Sequence, residues 1–140
     1  MRRSLLVLLL ATAVLTGAAA CGDDNEITTP VTPTRPTVTE TFSGRVTING
    51  AQTHGFAAGG SGRIDVTLTA LSPNSAAQVG LTLGTLNQLG ACQVVISNDN
   101  ATQGTVVAGN AAGAGTFCVR VHDVGQLSEA VEYTLTVVHF

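Results

Sequence analysis

Three observations predict an antiparallel β-sandwich of seven or eight short strands over residues 39–140. Apolar and polar residues alternate with period two in one run after another. Clusters of Gly, Asn, Ser and Pro separate these runs, and no ten-residue stretch after Val38 carries a helical period. Period-two alternation sets one face of a strand on a core and the other in water. Many short strands without helices then pack as two sheets.

The runs follow in order. Phe42, Val46 and Ile48 alternate with Thr41, Arg45 and Thr47. Ile64, Val66 and Leu68 alternate with Arg63, Asp65, Thr67 and Thr69. Val79, Leu81 and Leu83 make a third run, and Val94 with Ile96 a fourth. Phe117, Val119 and Val121 alternate with Cys118, Arg120 and His122; Tyr133, Leu135 and Val137 alternate with Glu132, Thr134 and Thr136. The turns are expected at Ala57–Gly62, Ser72–Ser75, Ser97–Asn100 and Gly109–Gly115, where turn-forming residues cluster. A membrane β-barrel fails on phase, because Phe140 falls out of step with Tyr133, Leu135 and Val137. Five aromatic Phe and Tyr residues are also too few for two girdles.

The N-terminus has a different character. Arg2 and Arg3 precede an apolar run, Leu5–Ala20, that ends in Ala18-Ala19-Ala20-Cys21. A basic start, an apolar stretch and small residues before a cysteine read as a secretory signal peptide, residues 1–20. This N-terminus resembles that of bacterial lipoproteins, and the resemblance implies that Cys21 carries the lipid and becomes the first mature residue. It departs from the usual pattern in having Ala18, where Leu, Val or Ile is customary. Residues 21–38 follow as a Thr/Pro-rich linker with Pro30, Pro33 and Pro36 at every third position. That period matches polyproline II, which makes a semi-rigid spacer of about 3.1 Å per residue. The expected location is the bacterial cell envelope, lipid-anchored, in the periplasm or on the surface.

Charge narrows the partners. The chain has no lysine, and the four arginines beyond the signal face nine acids, leaving the mature chain at a net charge of −5. An acidic chain without a basic run argues against nucleic acid and against docking on anionic lipid headgroups. The membrane is therefore expected as a partner through the N-terminal lipid, and an envelope protein or polysaccharide as the ligand. With Cys21 acylated, Cys92 and Cys118 remain, and two cysteines in an exported chain read as a disulfide. Strand parity strains that pairing. Cys118 is out of phase with Phe117, Val119 and Val121, whereas Cys92 is in phase with Val94 and Ile96. Either a bulge near Gly90-Ala91 frees Cys92, or Val95 faces the core and Cys92 joins Cys118 on the outer surface.

The stretch Gly115-Thr-Phe-Cys-Val-Arg-Val121, with Tyr133-Thr-Leu-Thr-Val137 after it, resembles the bacterial pre-peptidase C-terminal domain. Thr39-Glu-Thr-Phe-Ser-Gly44 and Arg63-Ile-Asp-Val-Thr-Leu-Thr69 fit that family's opening strands. The resemblance covers Thr39–Phe140. It implies a jelly-roll-like sandwich that serves as a non-catalytic appendage of secreted enzymes and sometimes binds polymer or calcium. The acidic calcium-binding stretch of the collagen-binding relatives has no counterpart here.

Candidate chemistry is sparse. His54, His122 and His139 are far apart in sequence and are expected at the solvated surface. A His-Asp pairing of His122-Asp123 with Ser61 or Ser128 has no motif behind it, because Gly59-Gly-Ser-Gly-Arg63 breaks the nucleophile-elbow pattern at its last position. The weak candidates for calcium are Asp99, Asp123 and Glu129, in oxygen-rich segments that supply few charged ligands each, and calcium wants six to eight oxygens. No catalytic residue and no cofactor is assigned. The function expected is a non-enzymatic accessory or binding module. The alternatives are a structural envelope subunit pairing through sheet edges and, third, a secreted hydrolase.

Overall fold

The computed structural model describes residues 35–140. The predicted signal peptide, Cys21 and most of the linker lie outside the described residues. Eight strands follow one another: β1 Val38–Val46, β2 Ala51–Ala58, β3 Gly62–Ser72, β4 Val79–Leu86, β5 Cys92–Ala101, β6 Val106–Ala111, β7 Gly115–His122 and β8 Val131–His139. They form two four-stranded sheets of order β1-β8-β3-β6 and β2-β7-β4-β5, antiparallel throughout. That order is a jelly roll: every connection except the β4–β5 hairpin crosses between the sheets, and the crossings close two Greek keys.

The core is what the alternation dictates. Ile64, Val66, Leu68, Val119, Val121, Tyr133, Leu135 and Val137 are buried between the sheets, with Val46, Leu81 and Val131 beside them. β3 keeps its face inward past an irregularity. The register against β8 shifts between Leu68 and Ala70, so Thr69 is the extra residue and Leu71 returns to the core. Ile48 falls in the β1–β2 turn and is half exposed, outside the alternation assigned to it.

Two strands escaped the pattern. β2, Ala-Gln-Thr-His-Gly-Phe-Ala-Ala, and β6, Val-Val-Ala-Gly-Asn-Ala, are edge strands built mainly from small and polar residues, so they carry little amphipathic contrast. Consequently three expected turns are corrected. Ala57 and Ala58 belong to β2, Gly109–Ala111 to β6, and Ser97–Asn100 to β5. In the last case turn-forming residues are held extended by pairing with β4, where Leu81 faces Asn98 and Thr82 faces Ser97.

The disulfide forms between Cys92 and Cys118, whose Cα atoms are 5.7 Å apart. A bulge resolves the parity conflict, though at Val95 and not at Gly90-Ala91. Leu83 pairs with Ile96 and Gly84 with Val94, which leaves Val95 as the extra residue. Ile96 therefore stays over the core, while Val94 and Cys92 turn to the outer face with Cys118. Val94 is 57% exposed and Val95 65%, so neither fills the core assigned to Val94. The bridge lies across Gly84, where a β-carbon would collide with the Gln93 carbonyl and stand 3.3 Å from the Cys92 sulfur. Gly55, across β7 from Gly84, gives similar room to Leu86.

Replacing both Cys92 and Cys118 with alanine should lower the unfolding free energy by about 3–4 kcal/mol, the chain-entropy value for a loop of this length. Urea denaturation of the oxidised and the double-alanine chains measures the difference. Equal midpoints would show that the bridge constrains nothing.

Candidate functional site

Four features outside the core are candidates for function. The first is a groove. On the side where edge strands β5 and β6 face each other the sandwich is open, and a cavity of about 380 Å³ lies between the sheets. Its floor is Ile64, Leu83, Ile96 and Phe117, and its lip is the β6–β7 turn, Ala112-Gly113-Ala114. No lining side chain ionises. The volume lies in the range of small-molecule sites. The cause is local sequence: Ala108-Gly-Asn-Ala-Ala-Gly-Ala-Gly115 has no bulky side chain to close that side. Gly109 also lets β6 approach Leu83 and Ile96, whose methyls would be 2.9 and 3.2 Å from an added β-carbon. Sequence reading placed the floor residues in the core and the lip in a turn. The run of small residues was the signal for the groove between them.

The second feature is a polar row on the outer face of β2-β7-β4-β5. Thr82 Oγ1 and Ser97 Oγ are 3.2 Å apart, Ser97 Oγ donates to Asp99 Oδ1 at 2.9 Å, and Asp99 Oδ1 is 3.7 Å from His122 Nε2. Serine, aspartate and histidine are thus adjacent but in the wrong order. A nucleophilic serine needs the imidazole between itself and the carboxylate, and here the carboxylate separates them. His122 Nδ1 is buried without a hydrogen-bond partner among the described residues. Burial, then the Arg120 charge, hold the His122 pKa below its ordinary value, while Asp99 and Asp123 act in the opposite direction. Gly80 makes the seat for this ring, since an added β-carbon would overlap it.

The third feature is a set of polar groups between β1 and β2. His54 Nε2 and the Tyr133 hydroxyl are 2.7 Å apart, and Phe42 stacks on His54 at 5.0 Å between ring centroids. Burial lowers the His54 pKa and pushes the Tyr133 phenol up to about 12. His139 is 2% exposed, with Nε2 2.8 Å from Glu40 Oε1 and its ring against Phe56. The expected solvated positions are therefore corrected. His139 is in the interior because β8 continues its inward alternation to its last residue, and His54 and His122 are only partly exposed.

The fourth is Asp123. Its Oδ2 accepts the Asn49 amide at 2.8 Å, and its Oδ1 accepts the amides of Gly125, Gln126 and Leu127 at 2.8–3.2 Å. These bonds, the one from Asn49 foremost, hold its pKa below the ordinary carboxylate value. Asp123 thus ties the β7–β8 loop to the β1–β2 turn, a structural role that accounts for the residue without a metal. Asp99 stands beside His122, and Glu129 lines a small separate hollow with Asn74 and Gln126. The structure does not bring the three calcium candidates together, and no group of three His, Cys, Asp or Glu arranged for a metal occurs among the described residues. Ser61 is in the β2–β3 turn, at the opposite end of the sandwich from His122 and Asp123.

No family model matches this chain, and no curated protein matches it.

Two predictions follow from these contacts. Glu40→Ala leaves Nε2 of the buried His139 without its partner, so stability should fall by about 1–3 kcal/mol; chemical denaturation at pH 7 measures it, and an unchanged midpoint would count against the bond. The pH dependence has a fixed sign. His54 and His122 have folded pKa values below the unfolded value of about 6.5, so their contribution is present above that pH and is lost as pH falls below it. The depressed Asp123 behaves likewise below about pH 4. Thermal melts from pH 8 to pH 3 should decline in those two windows, and Asp123→Asn should flatten the lower one.

Proposed function

We propose that this chain is a non-enzymatic lipoprotein of the bacterial cell envelope. A lipid on Cys21 anchors it, and a β-sandwich resembling the pre-peptidase C-terminal domain acts as its accessory or binding module. The observation that supports the binding role is the uncharged apolar groove between β5 and β6. Acid–base and nucleophilic chemistry need ionisable groups converging on a reacting atom. The groove has none, and the one Ser-Asp-His row is in an unproductive order. An apolar recess of this size gains free energy by taking an apolar group from water, at roughly 25 cal/mol per Å² buried. An envelope protein presenting such a group fits it better than a polysaccharide, since Phe117 is the groove's single aromatic ring.

A second reading, a structural subunit assembling through sheet edges, draws on one observation: edge strands β2 and β6 carry neither charge nor proline, the usual protections of an exposed edge. Sedimentation at rising concentration separates the two. A monomer throughout favours the binding module.

Mass spectrometry of the mature protein should show residues 1–20 absent and acyl mass on Cys21. Cys21→Ser should move the protein out of the membrane fraction. An unmodified N-terminus would overturn the anchor. For the groove, an environment-sensitive apolar dye should bind the folded domain, and Ala112→Glu at its exposed lip should weaken binding several-fold. Indifference of the dye to that charge would remove the groove as the site.

A further inference from the structure

The two ends of the sandwich differ in chemistry. One end gathers the β2–β3, β4–β5 and β6–β7 turns, the start of β1 and the C-terminal Phe140. The other gathers the β1–β2, β3–β4, β5–β6 and β7–β8 connections. Arg35, where the described chain begins, lies at the first end with its guanidinium against Gly60 of the β2–β3 turn. The N-terminal segment therefore joins the domain there.

Of the six large apolar side chains exposed among the described residues, four lie at that same end or on the adjoining half of β5, and Ile48 and Val106 lie at the other. Leu89 at the tip of the β4–β5 turn is 93% exposed, and Val38 at the start of β1 is 47% exposed. Val94 and Val95 continue the patch along the neighbouring half of β5 at 57% and 65%. The groove's lip, Ala112-Gly113-Ala114, is at this end as well. The carboxylates are distributed the opposite way. Among the described residues, Asp99, Asp123, Glu129 and Glu132 belong to the far half with Arg45 and Arg120, and Glu40 and Asp65 to the near half with Arg35 and Arg63. Asp65 is 2.8 Å from Arg63, and Glu40 is 2.8 Å from His139.

We propose that the Leu89 tip, with Val38, Val94 and Val95, docks on the surface of the lipid bilayer that anchors the chain, holding the acidic end outward. The inference rests on the lipid-anchored reading for its biological setting. Residues 21–34 span at most about 43 Å at ~3.1 Å per residue, so the tether keeps this end within reach of the membrane. Arg35, the first described residue, lies against Gly60 at this end. The tether confines the domain to within that distance of the bilayer, which raises the effective concentration of its surface there. An isolated leucine exposed on a turn is poorly placed for the solvated domain and well placed for the acyl–headgroup boundary, where apolar side chains gain by leaving water.

The chain contains no tryptophan, so a single introduced indole reports its own surroundings. The mature chain, residues 21–140 with the Cys92–Cys118 bridge oxidised, is coupled through the Cys21 thiol to maleimide-bearing lipid in phosphatidylethanolamine–phosphatidylglycerol vesicles. Chemical coupling supplies the anchor whether or not the cell acylates Cys21, so failure of lipidation and failure of docking are read separately. Leu89→Trp should show blue-shifted emission that brominated acyl chains quench. Ile48→Trp, at the far end, should show neither effect. A Val94→Trp probe should lose its shift when Leu89→Asp is added, because losing a buried leucine weakens docking roughly ten-fold or more. Melting curves of the variants confirm the fold, since all three positions are at least half exposed. Emission from Leu89→Trp unchanged on coupling, or Ile48→Trp quenched equally, would overturn the proposal.

Discussion

The placement of β5 depends on one contact, the crossing of the Cys92–Cys118 bridge over Gly84. β5 is an edge strand, held along one side only, by β4. Its first residues lean onto the outer face of the sheet, which is possible because Gly84 has no side chain to hold them off. The bulge at Val95 lets the same strand reverse its faces, so that Cys92 meets Cys118 outside while Ile96 still covers Leu83 inside. Remove the bulge and one of those two contacts must be given up. The open β5–β6 side has its own cause in the small residues Ala108–Gly115, which leave the space above Ile64 and Phe117 unfilled.

Much of this fold was legible in the sequence because burial is one-sided. Five of the six runs put Val, Ile, Leu, Phe or Tyr inward at alternate positions, β5 keeps only Ile96 there, and the structure places a strand at each of the six. β2 and β6 were not legible, since Gly55, Ala57, Ala108 and Gly109 offer no amphipathic contrast to period-two reading. The segment Ser97–Asn100 misled for a complementary reason. Local preference for a turn is worth little beside a ladder of backbone hydrogen bonds to β4, together with the Thr82 and Asp99 contacts of Ser97.

The histidines teach a related lesson about candidate sites. Sequence places His139 at the end of a strand and at the end of the chain, where solvent is the natural expectation. Alternation through Tyr133, Leu135 and Val137 assigns it the inner face, and Glu40 of β1 meets its imidazole there. Parity was the better guide. It was also the signal that exposed the difficulty at Cys92, whose solution required three-dimensional knowledge: nothing in Gln93-Val94-Val95-Ile96 marks which residue bulges. The groove was legible only as a lack of bulk. A stretch of alanine and glycine from Ala108 to Gly115 cannot close a sandwich side, and turn chemistry explains the same letters without a cavity.

The strand directions also decide what each end of the module can do. In a jelly roll, alternate connections fall at opposite ends, so turn sequences widely separated in the chain share an environment. Here Leu89, Ala112–Ala114 and Gly59–Ser61 converge where the N-terminal segment enters. Asp123, which uses both its oxygens to tie the β7–β8 loop to the β1–β2 turn, belongs to the other half with three more of the six acids among the described residues. That tie fixes two connections with one carboxylate. At the apolar end Asn87 organises the short β4–β5 turn through the amides of Leu89 and Ala91. Asn87 accepts both bonds with its side chain, so the turn is held in shape while Leu89 is directed into solvent. An ordered turn that presents a leucine outward loses little conformational entropy when a surface covers that leucine. The polar scaffold of the β4–β5 turn is therefore what equips its apolar tip for contact.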